Sequence, residues 1–209
     1  MVIEAKFSVP DPAVYWHLQI ADRVGAYSLS TLDVQSVLDT YLDTKRRRIL
    51  AAGYSCRRRE TNEGVVITLM SVSKAEGSVH RRGEWEQKMA MASRRPAEWP
   101  EGPVRDLVLQ LVGRESLVSL FELHQTRVIR LLEQDEQPVA ELRLDRVSLG
   151  SKEGEQVYLD LEVELLPQTP EETLTAIVAC LGDEWHLEPE ARSKFEWALA
   201  FMNEGASFS

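Results

Sequence analysis

The sequence predicts an α+β fold in which strands are the main elements. The first observation is that at least six segments alternate apolar and charged residues with the period of two that is typical of strands. The second is that four segments carry the apolar spacing or the N-terminal signals of helices. In the segment 157–165, VYLDLEVEL, the apolar residues share one side of a strand and three carboxylates share the other.

The helices are predicted mainly from their first turns. Asp11 followed by Pro12 is typical of an N-cap and a first-turn proline. Thr169 and Glu172 have the spacing of a capping box, in which each residue bonds a free N–H of the first turn. The four predicted helices cover about 12–24, 102–113, 170–182 and 189–202.

The strand segments place their charged side chains on one face when the apolar residues are assigned to the other. In IEAKF, Glu4 and Lys6 share a side, and in SCRRR the same holds for Arg57 and Arg59. RRGEWEQ, HQTRV, AELRLDRV and VYLDLEVEL extend the set. Its carboxylates are Glu4, Glu84, Glu86, Glu141, Asp145, Asp160, Glu162 and Glu164, and its cations are Lys6, Arg57, Arg59, Arg82, Arg127 and Arg143.

Two interpretations of this charged face are open. It is either the solvated side of half-buried strands or the lining of a cavity. The positions are almost all carboxylate or guanidinium rather than a mixture with Ser, Thr and Gln, which favours a cavity. A closed sheet of about eight strands can enclose such a channel, with helices covering its apolar outside. Guanidinium groups suit phosphate oxygens and carboxylates suit a hard divalent cation, so a polyanion bound with its metal is expected there.

Composition narrows the class of protein. The chain has 209 residues, a net charge of −10 and a pI near 5.0, which argues against a general nucleic-acid binder. One domain over 1–209 is expected, because no linker or repeat marks a boundary.

No secretion signal and no apolar run of about 20 residues is visible, so no membrane association is expected. The only cysteines, Cys56 and Cys180, fit a reducing cytoplasm.

The charged motifs resemble those of the CYTH domain, or triphosphate tunnel metalloenzyme superfamily. The resemblance covers nearly the whole chain, and no single motif is specific, but their shared order and spacing is. The matching segments are VIEAKF at 2–7, YLDT at 41–44, GYSCRRR at 53–59, ITLM at 67–70, RRGEWE at 81–86, ELRLD at 141–145, LDLEVEL at 159–165 and SKFEWAL at 193–199.

The resemblance implies an eight-stranded antiparallel β-barrel, the triphosphate tunnel, with helices packed outside. It implies that Mg²⁺ or Mn²⁺ is held by Glu4, Glu162 and Glu164, with Glu84 and Glu86 as secondary ligands. The phosphates would be held by Lys6, Arg57, Arg59, Arg82, Arg127 and Lys194, and the residues expected to matter most for catalysis are Glu4, Lys6, Arg59 and Glu164. For each arginine, a structural ion pair with a neighbouring carboxylate is the alternative.

Two departures from the family pattern leave the function open. Val2 stands where the pattern E-x-E-x-K has its first glutamate, and Met70 stands where T-L-K has its lysine. The chain is therefore expected to be a metal-dependent hydrolase of inorganic tripolyphosphate or of nucleoside or thiamine triphosphates, with reduced activity. The alternatives are a non-catalytic phosphate- or polyphosphate-binding module and, as a smaller one, an adenylyl cyclase. The expected partner is the triphosphate or polyphosphate itself, and a homodimer is left open.

Overall fold

Twelve strands and five α-helices make up the part of the chain that the computed structural model describes, residues 2–72, 79–89, 93–151 and 154–206. The helices are α1 (Pro12–Ile20), α2 (Arg48–Ala51), α3 (Pro103–Val112), α4 (Glu171–Trp185) and α5 (Lys194–Ala206). The strands are β1 (Val2–Ser8), β2 (Arg23–Val24), β3 (Tyr27–Leu29), β4 (Asp33–Asp43), β5 (Tyr54–Thr61), β6 (Gly64–Ser71), β7 (Val79–Arg82), β8 (Glu84–Met89), β9 (Val118–Gln134), β10 (Gln137–Ser151), β11 (Gly154–Leu165) and β12 (Glu188–Pro189).

The strands form one antiparallel sheet, which confirms the α+β class. Its hydrogen-bonded path runs β12-β1-β11-β10-β9-β4-β5-β6-β8. Strand β7 pairs with β1 near one end of this path, whereas β8, separated from β7 by Gly83 alone, pairs with β6 at the other end. Over the described residues the path of paired strands does not close, so the closed eight-stranded barrel is not confirmed.

The sheet has an apolar outer face covered by helices. The outward side chains of β1, β10 and β11 pack against α1 and α4 in one core cluster, which contains Phe7, Leu18, Leu144, Val163 and Ile177, all fully buried. A second cluster joins β5 and β6 to α3. Cys56 lies in this second cluster as a free thiol, and burial raises its pKa to about 12. In these five strands the buried apolar residues of the two clusters therefore face the helices, as the alternation predicts.

The first predicted helix is too long at its C-terminal end. It stops at Ile20 because Arg23 and Val24 pair with Ser28 and Tyr27 in a short hairpin instead. Gly25 makes the turn with φ of +55°, and a Cβ there would lie 2.3 Å from Cys180 Sγ, so only glycine fits.

The helix starts near the C-terminus also differ from expectation. The predicted capping box at Thr169 is wrong, because Pro170 is the N-cap of α4 and no side chain of the described residues caps this helix. A capping box forms at α5 instead: the Ser193 hydroxyl accepts a hydrogen bond from Glu196 N, and the Glu196 carboxylate accepts one from Ser193 N at 2.8 Å. Pro189, predicted as the start of this helix, lies instead in β12 and pairs with β1, and α5 begins only at Lys194. The prediction at 102–113 is confirmed to within one residue by α3.

None of the described helices is both long and apolar enough to cross a bilayer.

Candidate functional site

The charged faces of the strands turn inward and line one cavity of about 540 Å³. Residues from β1 and β8, near the two ends of the sheet path, both contribute to it, so the sheet curves around the cavity. The lining cations are Lys6, Arg57, Arg59, Arg127, Arg143 and Lys194, and the lining carboxylates are Glu84, Glu86, Glu141, Glu162, Glu164 and Glu196. The cavity interpretation of the alternating charges thus holds, and the solvated-face interpretation is wrong for these strands.

Four further carboxylates lie directly behind the lining, each in contact with at least one lining cation. They are Glu4, Asp39, Asp145 and Asp160, all at most 2% exposed. Counted over the described side chains, the cavity and its backing therefore hold ten carboxylates and six cations. Unpaired charge in a buried site is costly, so this acidic excess calls for added cations.

Arg59 is fixed by a bidentate ion pair. Its Nε and Nη2 donate to the two oxygens of Asp39, both at 2.8 Å, and Gln125 Nε2 donates to the same carboxylate at 2.6 Å. Burial alone would raise the pKa of Asp39, but the guanidinium groups of Arg59 and Arg57 outweigh burial and lower it to about 2. Because the pair uses Nε and Nη2, the Nη1 group of Arg59 stays available as a donor.

Arg127 is held in the same way on β9, which β4 separates from the strand of Arg59. Its Nε and Nη2 donate to Asp145 at 2.8 and 2.7 Å, and its Nη2 lies 3.6 Å from Glu162 Oε2. Burial would raise the pKa of Asp145, but Arg127 and Lys194 lower it well below its usual range. Both arginines are thus oriented by acids behind the wall, with their remaining N–H groups free to face a ligand.

Lys194, the first residue of α5, forms ion pairs with three acidic residues. Its Nζ lies 3.0 Å from Asp145, 2.5 Å from Asp160 and 2.8 Å from Glu162. Among the described residues, these three form the only group of acids whose oxygens lie within 4.8 Å of one another, the spacing of a metal site. The Lys194 ammonium already occupies that position, so we do not assign a metal ion there.

Arg57 is the most weakly paired cation of the lining. Its contacts are long, at 3.4 Å to Thr68 Oγ1, 3.6 Å to Glu84 and 3.9 Å to Asp39, and its Nε has no hydrogen-bond partner in the described part of the chain. Burial would lower the pKa of Arg57, but its anionic neighbours raise it, so the side chain stays charged. A buried guanidinium that lacks close partners and faces a cavity is suited to an anionic ligand.

The acidic side of the cavity centres on Glu164. Its pKa is raised by burial and by the charges of Glu4 and Glu84, against the effect of Arg143, which bonds it at 2.5 Å. Glu4 and Glu164 face each other on paired strands. The mutual repulsion of these three carboxylates would be relieved by a bound cation.

Three predicted site residues remain: Lys6, Glu86 and Arg82. Lys6 bridges Glu162 at 2.8 Å and Glu4 at 3.4 Å, so it holds the two acidic strands together. Glu86 is exposed at the cavity and accepts a hydrogen bond from Thr68. The side chain of Arg82 lies outside the described residues.

Sequence reasoning missed Asp39, and it did not use Tyr41, although YLDT contributed to the resemblance. Both lie on β4, whose inward positions mix polar and apolar residues and so give no charge alternation. Gln35, Val37, Asp39 and Tyr41 follow one another at intervals of two and so share one face of the strand. This spacing was the signal that could have identified Asp39 and Tyr41 as inward residues. Val2 and Met70, the two departures, both line the cavity.

Comparison with known proteins agrees with this arrangement. A protein-family model for the CYTH domain matches residues 1–193, and the chain therefore belongs to the CYTH family. This confirms the resemblance inferred from the motifs. No curated protein sequence matches the chain.

Solved structures show the same fold at low sequence identity. HpAC1 from Hippeastrum, described as a candidate adenylyl cyclase with a dominant triphosphatase activity, has a TM-score of 0.74 and 19% identity over 96% of each chain. PH1819 from Pyrococcus horikoshii has a TM-score of 0.60 and 17% identity over 96% of this chain and 99% of its own. The mimivirus capping enzyme triphosphatase has a TM-score of 0.51 and 10% identity over 85% and 86%.

Proposed function

We propose that the chain is a divalent-metal-dependent hydrolase of triphosphate substrates. The observation that carries the proposal is one cavity whose described lining and backing combine six cations with ten carboxylates. The cations suit a chain of phosphates, while the acidic excess opposes a bare polyanion and favours one that arrives with a metal ion. The triphosphatase activity described for HpAC1 and for the mimivirus enzyme supports this class of reaction.

The residues present fit Mg²⁺ or Mn²⁺. Glu84 and Glu164 in the lining and Glu4 directly behind it offer only carboxylate oxygens, which hard cations prefer. Their mutual repulsion is the feature that a cation would relieve. They lie farther apart than a closed cage requires, which suits Mg²⁺, since that ion keeps several waters and binds one or two carboxylates together with substrate phosphates. We assign Glu162 and Glu86 as supporting carboxylates. The ion would supply neutralisation of charge on the phosphate oxygens.

The protein's own groups bind and orient the phosphates in this proposal. Arg57 supplies the least neutralised charge, and Arg59 and Arg127 offer the N–H groups that their backing carboxylates leave unused. Hydrolysis without a covalent intermediate needs little beyond positioning and charge stabilisation. Glu164 lines the cavity, and its carboxylate, beside the metal ion, is the group we assign to orient the attacking water and accept its proton. Lys6 and Lys194 keep the acidic wall in place, and Lys6 also faces the phosphates.

The proposed catalytic unit is the whole chain, 1–209, as one domain. Strands from both ends of the sequence line the same cavity. We further propose that the sheet closes into a tunnel through the continuous segment β7-β8, because β7 pairs with β1 and β8 pairs with β6.

A non-catalytic phosphate-binding module is the second candidate. Val2 and Met70 favour it, because both line the cavity at positions where the family pattern carries a glutamate and a lysine. The lysine missing at Met70 would make a charged contact to phosphate worth about 1.5–3 kcal/mol, and the glutamate missing at Val2 would make a contact to the metal or to water. Their loss would slow turnover strongly while the remaining cations keep binding.

A substrate panel separates the two candidates. Phosphate and pyrophosphate release is measured from tripolyphosphate, ATP, thiamine triphosphate and long-chain polyphosphate, with Mg²⁺, with Mn²⁺ and with EDTA. The hydrolase proposal expects metal-dependent release from at least one substrate, which is abolished in the double variant Glu162→Gln/Glu164→Gln and retained in Glu155→Gln, an exposed control on the same strand. Tight binding without release would support the binding module, and release that persists in EDTA would contradict the metal dependence.

A further inference from the structure

A basic turn joins two strands of the cavity wall. It covers residues 45–48, KRRR, between β4 and β5, and all four residues are exposed. Two other segments adjoin it, because Arg48 Nη1 lies 3.0 Å from Glu115 and because Leu117 N donates to Arg94 O. The three segments, 43–48, 93–98 and 113–117, carry seven cations and three acids. This end of the molecule is therefore basic, whereas the whole chain has a net charge of −10.

The three acids at this end are already engaged. Asp43 is buried, and its carboxylate accepts hydrogen bonds from three backbone N–H groups of the turn and of α2. Glu115 pairs with Arg48, and Glu98 pairs with Arg95. Within the described chain no ion pair neutralises the side chains of Lys45, Arg46, Arg47, Arg94 and Arg114. A surface cluster of cations without acidic partners attracts anions.

The backbone of the turn is fixed, although it holds an arginine in an unfavourable conformation. Arg47 has φ of +57° and ψ of +40°, in the left-handed region that residues other than glycine and asparagine avoid. Thr44 holds the turn, because its carbonyl accepts a hydrogen bond from Arg47 N at 3.0 Å and its hydroxyl accepts one from Arg48 N at 3.2 Å. The geometry of the turn does not favour arginine at this position, so the charged side chain points to a role outside the fold.

The basic turn lies beside an exposed part of the cavity lining. β4 leads to the turn from Tyr41, β5 leads away from it to Ser55, and both residues line the cavity. Val72 also lines the cavity, is 38% exposed, and donates its N–H to Gly53 O directly after α2. Lys45 follows Tyr41 by four residues, which span at most about 14 Å. A polyanion that leaves the cavity past Val72 would therefore reach the basic turn within a short distance.

We propose that the basic turn is an outer binding site for long-chain polyphosphate, which holds the part of the chain that continues out of the cavity. The assignment rests on the proposed function of the cavity and names long chains as its preferred substrate class. Closely spaced phosphates suit the consecutive cations of the turn. A single-stranded nucleic acid is less suited, because the three segments contain no aromatic residue on which bases could stack. Tripolyphosphate would remain among the cations of the cavity and would not use the turn.

Calorimetric titration in Mg²⁺, with long-chain polyphosphate and with tripolyphosphate, tests the assignment. Lys45→Gln/Arg46→Gln should bind the long chain roughly 10-fold more weakly and should bind tripolyphosphate with unchanged affinity. The affinity for the long chain should also fall less steeply with salt, because fewer phosphates are neutralised. Arg23→Gln/Arg146→Gln, which removes two exposed cations outside the three segments, should bind both compounds like the wild type.

A second variant separates binding from folding. Arg47→Asn removes one charge of the turn and replaces arginine with a residue that tolerates the left-handed conformation. It should weaken binding of the long chain without lowering the urea unfolding midpoint.

Three outcomes overturn the assignment in distinguishable ways. If the wild type binds tripolyphosphate and the variants of the turn bind the long chain as tightly as the wild type does, the assignment is wrong while the proposed function stands. If single-stranded DNA binds as tightly as polyphosphate and is lost in the same variants, the turn is a general polyanion site and the assignment to polyphosphate is wrong. If the wild type binds neither phosphate compound, the proposed function fails and this assignment fails with it.

Discussion

Removing the Lys194 ammonium should destabilise the protein and create a metal site where none is assigned. The Nζ atom lies within 3.0 Å of Asp145, Asp160 and Glu162, and its side chain is only 7% exposed. In Lys194→Met these buried carboxylates lose their shared cation. Removing one partner of a buried ion pair typically costs 3–5 kcal/mol. We expect a loss of about 3 kcal/mol, at the low end of that range, because Arg127 and Lys6 still neutralise part of the cluster.

The vacated position should then accept a divalent cation. The three acids offer oxygens within 4.8 Å of one another, all of the hard type that Mn²⁺ and Mg²⁺ bind. A ligand at about 100 times its dissociation constant stabilises the folded state by about 2.7 kcal/mol. Saturating Mn²⁺ should therefore restore most of the stability that the variant lost.

Urea unfolding at pH 7.5, with EDTA or with Mn²⁺, measures both effects. Lys45→Met, at an exposed position, controls for the loss of a lysine. The gain from Mn²⁺ should be larger in Lys194→Met than in the wild type, and adding Asp160→Asn to the variant should abolish the excess. A variant as stable as the wild type in EDTA, or a Mn²⁺ effect equal in both, would refute the account of this cluster.

Three other predictions concern the same walls. Asp39→Asn should lower the free energy of unfolding by about 2 kcal/mol at pH 7, because the pKa of Asp39 is lowered from 3.8 to about 2. This contribution to stability is present above pH 4 and disappears towards pH 2. The difference between variant and wild type in urea unfolding should therefore narrow at low pH. Burial and Glu162 raise the pKa of Asp160 from 3.8 to about 6, against the effect of Lys194, so ionised Asp160 disfavours folding. Relative to Asp160→Asn, the wild type should lose about 2 kcal/mol of stability as pH rises from 4 to 7. A difference that stays constant with pH would contradict the raised pKa. Met70→Lys should raise tripolyphosphate turnover and Val2→Glu should sharpen its metal dependence; a fast wild-type enzyme that neither change improves would show that other groups fill both roles.

The sequence predicted the facing of the strands well because the period of two is fixed by strand geometry. Once the apolar side of VYLDLEVEL was assigned to the core, Glu162 and Glu164 had to face the other way, and both line the cavity. The same argument placed Arg57 and Arg59. Which side chains of a strand point into the cavity can thus be predicted from the sequence of that strand alone.

The pairing of charges could not be predicted in the same way, because it depends on register and on distant segments. Lys194 reaches Asp145 from a helix 49 positions later in the chain. The residues two positions from Asp39 on its own strand, Val37 and Tyr41, are uncharged. The importance of Asp39 follows from its pairing with Arg59, which lies opposite it on β5. Helix α1 was overextended because its apolar spacing continues into residues that tertiary pairing recruits to a hairpin.

The central claim is that the cavity binds a triphosphate together with a divalent cation, and calorimetric titration of the wild-type chain with tripolyphosphate tests it most directly. The acidic excess in the cavity predicts binding at least about 10-fold tighter with Mn²⁺ than with EDTA, after subtraction of the heat of Mn²⁺ binding to tripolyphosphate alone. Equal affinity in EDTA, or no binding under either condition, would contradict it.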